Sequence, residues 1–371
     1  MKKETAVTEE QLSSLKQEIN EKSSQIYRDS YQMSIGELIN LYRDDELDIH
    51  PEFQRVFRWT NFQKTKLIES IMLNIPIPSI FVSQNDEGVW DVIDGVQRLS
   101  TIFEFVGEFR TDEDILEPQL VLGKTGYLPS LEGVCWDDLP PDQKIAFKRS
   151  RIDVTIVKKE SDPTTKYELF QRLNTGGTQL SGQEVRNCLM IMTSREFYQL
   201  IRKISESPKF SEIVTITEQK ENEQYKMELV LRALISYASN LEELSQYADL
   251  SELLDKETIK FAQGQIQADN FESKFINVID KLYTVLGEDS FKRFEDGKYR
   301  GPFLVSSFQV ILSGALLNYE RFMEFSDEEL KSKINNIYGQ DVYIENTKPG
   351  ARAIPRIVNL TSFGKNYFKN E

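Results

Sequence analysis

A chain of 371 residues with a net charge of −15 is long enough for two domains and too acidic to wrap DNA with its whole surface. Two cysteines and one histidine are too few for a zinc site, and the single histidine, His50, also excludes a nuclease of the His-Asn-His type. No stretch resembles a signal peptide or approaches the roughly 18 apolar residues of a membrane span, so we expect a cytoplasmic protein with no membrane partner.

Composition and periodicity divide the chain into three segments. Residues 1–30 are polar, with a few apolar residues at helical spacing, which predicts an exposed helical arm. Residues 31–194 alternate short helices with short strands and predict an α+β domain. Residues 195–371 have helical periodicity throughout and predict a helical domain.

Cap and turn signals place the elements of the α+β segment. Ser34, with Glu37 three residues later, forms a capping box. Thr60 caps the next helix, in which we expect Phe62 to belong to the apolar stripe. Strands are predicted at Leu47–Ile49, Ile80–Val82, Val89–Ile93 and Arg151–Val157. Residues 107–140 are rich in glycine and proline, which predicts a surface hairpin.

Residues 88–106 change from a strand pattern to a helix pattern at Asp94-Gly95. Such a junction presents free backbone N–H groups and a partial positive charge at one point, which favours an anion. Arg98 can bind a phosphate with its forked guanidinium, and Asp94 can hold a water, a metal or that arginine. The alternative is that Asp94 caps the helix and Arg98 pairs with it.

Positive charge is concentrated in residues 142–159, which carry six lysines and arginines against two aspartates. In an acidic protein this excess makes Lys148, Arg149 and Arg151 the best candidates for contacts with the phosphate backbone of DNA. The alternative is a solvated strand edge that its cations protect from aggregation.

Three ordered motifs resemble one family. They are Pro-x-x-Gln-Arg-x-x-x-Trp over residues 51–59, Ile-Asp-Gly-x-Gln-Arg-Leu-x-Thr over 93–101, and Phe-x-x-Leu-Asn-x-Gly-Gly-x-x-Leu-Ser over 170–181. Together they resemble the N-terminal domain of GmrSD-type type IV restriction enzymes, over roughly residues 35–190. Val96 departs from the pattern, since the family usually carries a second glutamine there.

The resemblance implies a ParB/sulfiredoxin-like core with a small mixed sheet, and a pocket for a nucleoside triphosphate with Mg²⁺ or another divalent metal. Arginines would meet phosphate charge, glutamines would orient ligand or water, and Asp94 would be the metal ligand. The implied catalytic residues are Asp94, Arg98, Arg55 and Gln54. The implied nucleotide contacts are Gly95, Gln97, Arg58, Thr101, Asn174, Thr175, Gly176 and Gly177.

Two kinds of side chain near these motifs have alternative roles. Trp59 and Phe57 can stack on a base, and the alternative is a buried hydrophobic anchor. Ser181 and Glu184 form a second capping box, and Arg186 behind it faces either the pocket or solvent.

Three functions remain open from the sequence. The first is a nucleotide-binding, NTP-hydrolysing component of a bacterial anti-phage restriction system that acts on phage or modified DNA. The second is a non-catalytic ParB-like module for DNA recognition. The third is a metal-dependent DNA nickase, which would need a second carboxylate, such as Glu52 or Asp91, beside Asp94. A separate nuclease subunit and a homo-oligomer are both left open.

Overall fold

The computed structural model describes residues 12–17, 28–49, 59–85, 87–111, 115–157 and 181–369. By its internal contacts the chain divides into two compact units, residues 1–179 and residues 180–371. The first is an α+β unit with a small mixed sheet, and the second is helical apart from one short hairpin. The predicted fold class is therefore confirmed.

A five-stranded sheet forms the centre of the first unit. Its strands are β1 (Arg28–Ser34), β2 (Leu47–Asp48), β3 (Ile80–Gln84), β4 (Trp90–Asp94) and β5 (Arg151–Val157), in the spatial order β1-β5-β3-β4-β2. β3 runs parallel to β5 and antiparallel to β4. The carboxyl end of β4 therefore lies at the end of the sheet where β3 and β5 begin.

Four helices accompany the sheet: α1 (Ile35–Arg43), α2 (Asn61–Met72), α3 (Val96–Val106) and α4 (Pro141–Arg149). The predicted caps are confirmed at α1, where the Ser34 hydroxyl accepts a hydrogen bond from the backbone N–H of Glu37, and at α2, where Thr60 and Gln63 form a capping box. The core lies between sheet and helices and includes Ile68, Ile80, Val82, Leu99, Phe103 and Val154, all fully buried. Burial of such side chains contributes about 1.5–3 kcal/mol each.

β1 was not predicted, and its first residues lie in the stretch that we expected to be a helical arm. All seven residues, from Arg28 to Ser34, pair with β5 in antiparallel register. The strand is polar and exposed at its edge, so it lacks the run of apolar β-branched residues that marks a strand in sequence. Its partner, more than a hundred residues away in sequence, decides its conformation.

The insertion at residues 107–140 packs irregularly, so the prediction of a surface hairpin was wrong. Its described part contains an isolated bridge between Arg110 and Leu116 and two short 3₁₀ turns, Pro129–Leu131 and Trp136–Asp138. Leu120, Leu122 and Trp136 are buried in the core of the first unit.

The helices of the second unit are α5 (Gly182–Thr193), α6 (Arg195–Ser205), α7 (Pro208–Ile213), α8 (Glu218–Asn222), α9 (Tyr225–Ala238), α10 (Leu241–Leu244), α11 (Leu250–Ala262), α12 (Phe271–Leu286), α13 (Val305–Leu317), α14 (Tyr319–Glu324), α15 (Asp327–Asn336), α16 (Asp341–Thr347) and α17 (Ala353–Phe368). A hairpin of β6 (Arg293–Glu295) and β7 (Lys298–Arg300) precedes α13. Within the described ranges, no helix is both long enough and apolar enough to cross a membrane.

Arg186 of α5 faces the interior of the second unit. Its guanidinium donates to Asp255 at 3.0 Å and to Glu228 at 2.5 Å, and the residue is 2% exposed. The sequence left its direction open between a pocket and solvent, and the structure excludes solvent. A buried arginine with two carboxylate partners is typical of a structural ion-pair network.

Candidate functional site

The candidate site begins where β4 ends at Asp94 and α3 starts. Gly95 is the N-cap of α3 and has φ 102°, in the left-handed region. A Cβ atom at this position would lie 2.9 Å from Cγ1 of Ile80, so both conformation and space require glycine. Among the described residues no side-chain hydrogen bond caps this helix, so the N–H groups of its first turn are candidate donors to an anion.

Arg98 is held by two acceptors. Its Nη2 donates to Oδ2 of Asp94 at 2.9 Å, and its Nη1 donates to the backbone oxygen of Pro78 at 2.7 Å. Arg98 is only 8% exposed, whereas the side chain of Asp94 is 38% exposed. The ion pair that we considered as an alternative is therefore present, but Asp94 is not the helix cap. Arg98 fixes a carboxylate that solvent can still reach.

Gln97 and Thr101 support the same turn. The side-chain oxygen of Gln97 accepts a hydrogen bond from the backbone N–H of Trp59 at 3.1 Å, which joins α3 to the segment that enters α2. Thr101 has no exposed surface, and its hydroxyl donates to the backbone oxygen of Gln97 at 2.7 Å. Thr101 therefore supports the turn from inside the protein instead of facing a ligand. Trp59 is half-buried against the core, as expected of an anchor.

The Asp-Gly-x-Gln-Arg sequence thus forms the junction between β4 and α3, with Asp94 bonded to Arg98 and Gln97 bonded to Trp59. Residues 35–191 match the family model of the GmrSD restriction endonuclease, N-terminal domain. These residues form a GmrSD-type N-terminal domain. The match indicates a component of a restriction or anti-phage system. Comparisons with curated proteins and with solved structures gave no match.

Two of the three motifs of the GmrSD-type domain lie mostly outside the described residues. The predicted site residues in that position are Gln54, Arg55, Arg58, Asn174, Thr175, Gly176 and Gly177, and His50, Glu52 and Phe57 lie there too. The convergence of the three motifs on one pocket stays a prediction. Asp94, Gly95, Gln97 and Arg98 are the predicted residues that the structure brings together.

Lys148, Arg149 and Arg151 are exposed where α4 passes into β5. Within the described part of the chain none of the three forms an ion pair; Nζ of Lys148 lies 5.7 Å from a Trp136 ring centroid. β5 begins at the sheet end where β4 finishes with Asp94. Across β3, Asp94 is level with Thr155, four residues along β5 from Arg151, and the two strands are about 10 Å apart. The predicted DNA contacts and the candidate nucleotide site therefore share one end of the sheet.

A groove of about 650 Å³ is lined by residues of β1, α1, β3, β4 and β5, from Gln84 and Trp90 to Ser34, which pairs with Arg151. Its lining includes the carboxylates of Asp29 and Glu37 and the rings of Tyr31 and Trp90. None of the described residues that line it is a lysine or an arginine. An acidic groove repels a polyphosphate, so it does not compete with Asp94 as the nucleotide site.

Sequence analysis missed a surface on α2. Phe62 was expected in the apolar stripe of this helix, but it is 59% exposed. At 100° per residue, Phe62 falls on the face of Lys66 and Glu69, away from the buried Leu67 and Ile68. The helical periodicity itself was therefore the signal that could have found this surface.

Proposed function

We propose that the GmrSD-type domain binds and hydrolyses a nucleoside triphosphate, as part of a restriction system that acts on phage or modified DNA. One observation carries the proposal: the uncapped start of α3, with its Asp94–Arg98 pair, lies at the same end of the sheet as Lys148, Arg149 and Arg151. A helix N-terminus accepts phosphate oxygens, and exposed cations accept the backbone of DNA.

Asp94 is the residue to which we assign the chemistry. Oδ2 of Asp94 accepts from Arg98, which holds the carboxylate in one orientation while its side chain remains 38% exposed. From there the carboxylate can orient an attacking water. Gln54 and Arg55 would add a water-orienting amide and a second guanidinium, and Arg58 and the Asn174–Gly177 loop would close over the nucleotide.

Mg²⁺ fits this donor set only together with the substrate. No group of three His, Cys, Asp or Glu side chains is poised for a metal among the described residues. Mg²⁺ commonly takes one or two protein carboxylates and completes its octahedron with phosphate oxygens and water. Asp94 would hold such an ion, which would offset the negative charge of the phosphates.

Neither alternative function has an observation of its own. A non-catalytic DNA-recognition module would use the same cations, so only turnover separates it from the proposal. A nickase would need a second metal-binding carboxylate beside Asp94. Glu52 lies outside the described residues, and the described ranges contain no group of three metal ligands. Because the sequence has one histidine, a separate nuclease subunit would supply His-Asn-His cleavage.

The test is release of inorganic phosphate from the four ribonucleoside triphosphates with Mg²⁺. We expect turnover by the wild type and at least about a hundredfold loss in Asp94→Ala, as for other groups that act on the reacting atoms. Arg98→Ala should lose activity as well, because Asp94 is no longer held. Lys256→Ala, which removes an exposed cation paired with Glu252, is the control and should retain activity.

The outcomes separate the three functions. Absence of turnover in the wild type, with DNA binding that falls steeply with salt, would replace the proposal with the recognition module. DNA nicking without nucleotide would replace it with the nickase. Wild-type turnover that survives in Asp94→Ala would remove Asp94 from the chemistry.

A further inference from the structure

Two exposed aromatic rings flank a lysine on the outer face of α2. Phe62 is 59% exposed and Tyr127, from the 107–140 insertion, is 76% exposed. Nζ of Lys66 lies 5.9 Å from the ring centroid of Phe62 and 5.5 Å from that of Tyr127. The two ring centroids are therefore within about 12 Å of each other. We call Phe62, Lys66 and Tyr127 the aromatic platform.

A buried carboxylate holds two of the three residues of the aromatic platform, Lys66 and Tyr127. Glu69 is 2% exposed and accepts hydrogen bonds from the backbone N–H groups of Tyr127, at 3.1 Å, and Leu128, at 2.9 Å. Its other oxygen accepts from Nζ of Lys66 at 2.7 Å. Burial of a carboxylate is costly unless it is paired and fully hydrogen-bonded. Here the partners of Glu69 are the backbone N–H groups of Tyr127 and Leu128 and the ammonium group of Lys66.

Further hydrogen bonds attach the insertion to α2. Nδ2 of Asn61 donates to the backbone oxygen of Val121 at 2.8 Å, and the backbone N–H of Gly123 donates to the hydroxyl of Thr65 at 2.9 Å. Tyr127 is therefore presented by a segment that is bonded to the helix at several points. Single exposed apolar side chains are common on protein surfaces. Two rings on either side of one cation instead form a preorganised surface that a ligand can bind.

The aromatic platform borders the candidate nucleotide site. Phe62 follows Trp59 by three residues, and the backbone N–H of Trp59 is bonded to Gln97 at the start of α3. Three residues span at most about 11 Å. Phe62 therefore lies within about 11 Å of a residue that is bonded to the start of α3.

We propose that the aromatic platform stacks on unpaired bases of DNA. Every base has a π face, so stacking of this kind needs no particular sequence. The exposed Lys124, three residues before Tyr127, supplies positive charge for the phosphates, whereas Lys66 is already paired with Glu69. Pockets for free nucleotides enclose most of their ligand, whereas these rings are open, which favours a polymer. The proposal specifies that the bound DNA is single-stranded, and it rests on the proposed function only for the choice of DNA as the partner.

The experiment measures binding of a labelled single-stranded oligonucleotide and of the matching duplex by fluorescence anisotropy, with the full-length protein. Phe62→Ala and Tyr127→Ala should each weaken single-strand binding by roughly 5- to 100-fold, the range for loss of one stacked base. Phe62→Tyr keeps a ring and should stay within about twofold of the wild type. Ile344→Ala, which removes an exposed apolar side chain of the second unit, is the matched control.

A second readout responds only to contact. An oligonucleotide that carries 5-iodouracil should photocrosslink to Tyr127 or Phe62, and mass spectrometry of the peptides identifies the residue. Single-strand binding within about twofold of the wild type in both alanine variants overturns the proposal. A crosslink that maps only to residues other than Phe62 and Tyr127 also overturns the proposal. The same holds if the alanine variants differ from the wild type only by a higher KM for free nucleoside triphosphate.

Failure of this inference and failure of the proposed function are distinguishable. Without DNA, phosphate release should be unchanged in Phe62→Ala and Tyr127→Ala. If the wild type releases no phosphate but the two variants lose single-strand binding, the aromatic platform stands and the hydrolysis does not. If phosphate release depends on Asp94 while single-strand binding is unchanged in both alanine variants, the hydrolysis stands and the aromatic platform does not.

Discussion

Two buried glutamates show how the environment of a single residue sets its charge. Burial raises the pKa of Glu184 to about 7; hydrogen bonds from Ser181 act in the opposite direction, and nearby Glu223 raises it further. Oε1 of Glu184 has no hydrogen-bond partner in the described structure. Burial also opposes ionisation of Glu69, but its hydrogen bonds, from Lys66 foremost, lower the pKa to about 2. The same residue type is therefore stabilised in opposite protonation states at two places.

Glu184→Gln should stabilise the protein at neutral and higher pH. Because the folded pKa is raised above its ordinary 4.5, the contribution of Glu184 to stability falls as the pH rises from about 4.5 through 7. Glutamine carries no charge, and its amide oxygen can still accept from Ser181 in the capping box. We expect a gain on the order of 1–3 kcal/mol at pH 8 and almost none near pH 4.5, measured by urea unfolding.

Glu69→Gln is the control, and its expected effect on the free energy of unfolding has the opposite sign. The folded pKa of Glu69 is depressed, so its stabilisation is complete above about 4.5 and is lost only as the pH falls towards 2. The variant should therefore be less stable than the wild type by a similar amount at pH 5 and pH 8. A gain in Glu184→Gln that is the same at pH 5 and pH 8 would contradict the account of Glu184.

Two helices of the second unit, α13 and α17, pack closely at a pair of glycines. A Cβ atom on Gly364 would lie 2.3 Å from the backbone oxygen of Val310, and one on Gly314 would lie 2.7 Å from the backbone oxygen of Gly364. Backbone atoms cannot move aside as a flexible side chain can. Glycine at both positions therefore sets how near the two helices pack.

Gly364→Ala should destabilise the protein by at least about 2 kcal/mol, because the added methyl group forces the two helices apart. Helix propensity alone predicts the opposite sign, since alanine is favoured over glycine in a helix by about 1 kcal/mol. Thermal and urea unfolding measure the change. Gly339→Ala, at a position with nothing within 4 Å of the new Cβ, is the matched control. Equal stability of Gly364→Ala and the wild type would contradict the close crossing.

Several elements were predictable because their signals are local. The caps at Ser34, Thr60 and Ser181 each depend on a residue three positions away. Thr60 and Ser181 form full capping boxes, whereas at Ser34 the hydroxyl accepts from Glu37 N–H without the return bond of the predicted box. The turn at Gly95 follows equally from its neighbours. β1 and the 107–140 insertion were missed because each is ordered by partners far away in the chain, β5 for the first and Glu69 for part of the second.

At the scale of the whole molecule, charge is the property that matters for DNA. The net charge of −15 repels a polyanion, so binding depends on a few local cations. Lys148, Arg149 and Arg151 are exposed together and are free of ion pairs in the part of the chain that the structure describes. Each phosphate contact that a cation makes releases counterions and steepens the dependence of binding on salt.

Replacement of these three cations by glutamine should weaken DNA binding and flatten its salt dependence. We expect the slope of log K against log salt to fall by about 0.9 for each cation that contacts a phosphate of duplex DNA. Anisotropy titrations across a range of salt concentrations measure it. The matched control replaces Lys203, Lys256 and Lys348, three cations of the second unit that are already paired with glutamates. Identical slopes for the two triple variants would remove the basic run from the DNA interface.

By itself, the sequence determined what depends on residues near one another: the fold class, the caps, the strand–turn–helix junction at Asp94-Gly95, and the family to which residues 35–191 belong. Only the tertiary structure decided that Arg98 bonds the backbone of Pro78, that Phe62 and Tyr127 share one lysine, and that Glu184 is buried without a partner for Oε1. The reason is physical. Local conformation follows from neighbours within one or two turns, whereas burial, hydrogen-bond partners and pKa follow from groups that only folding brings together.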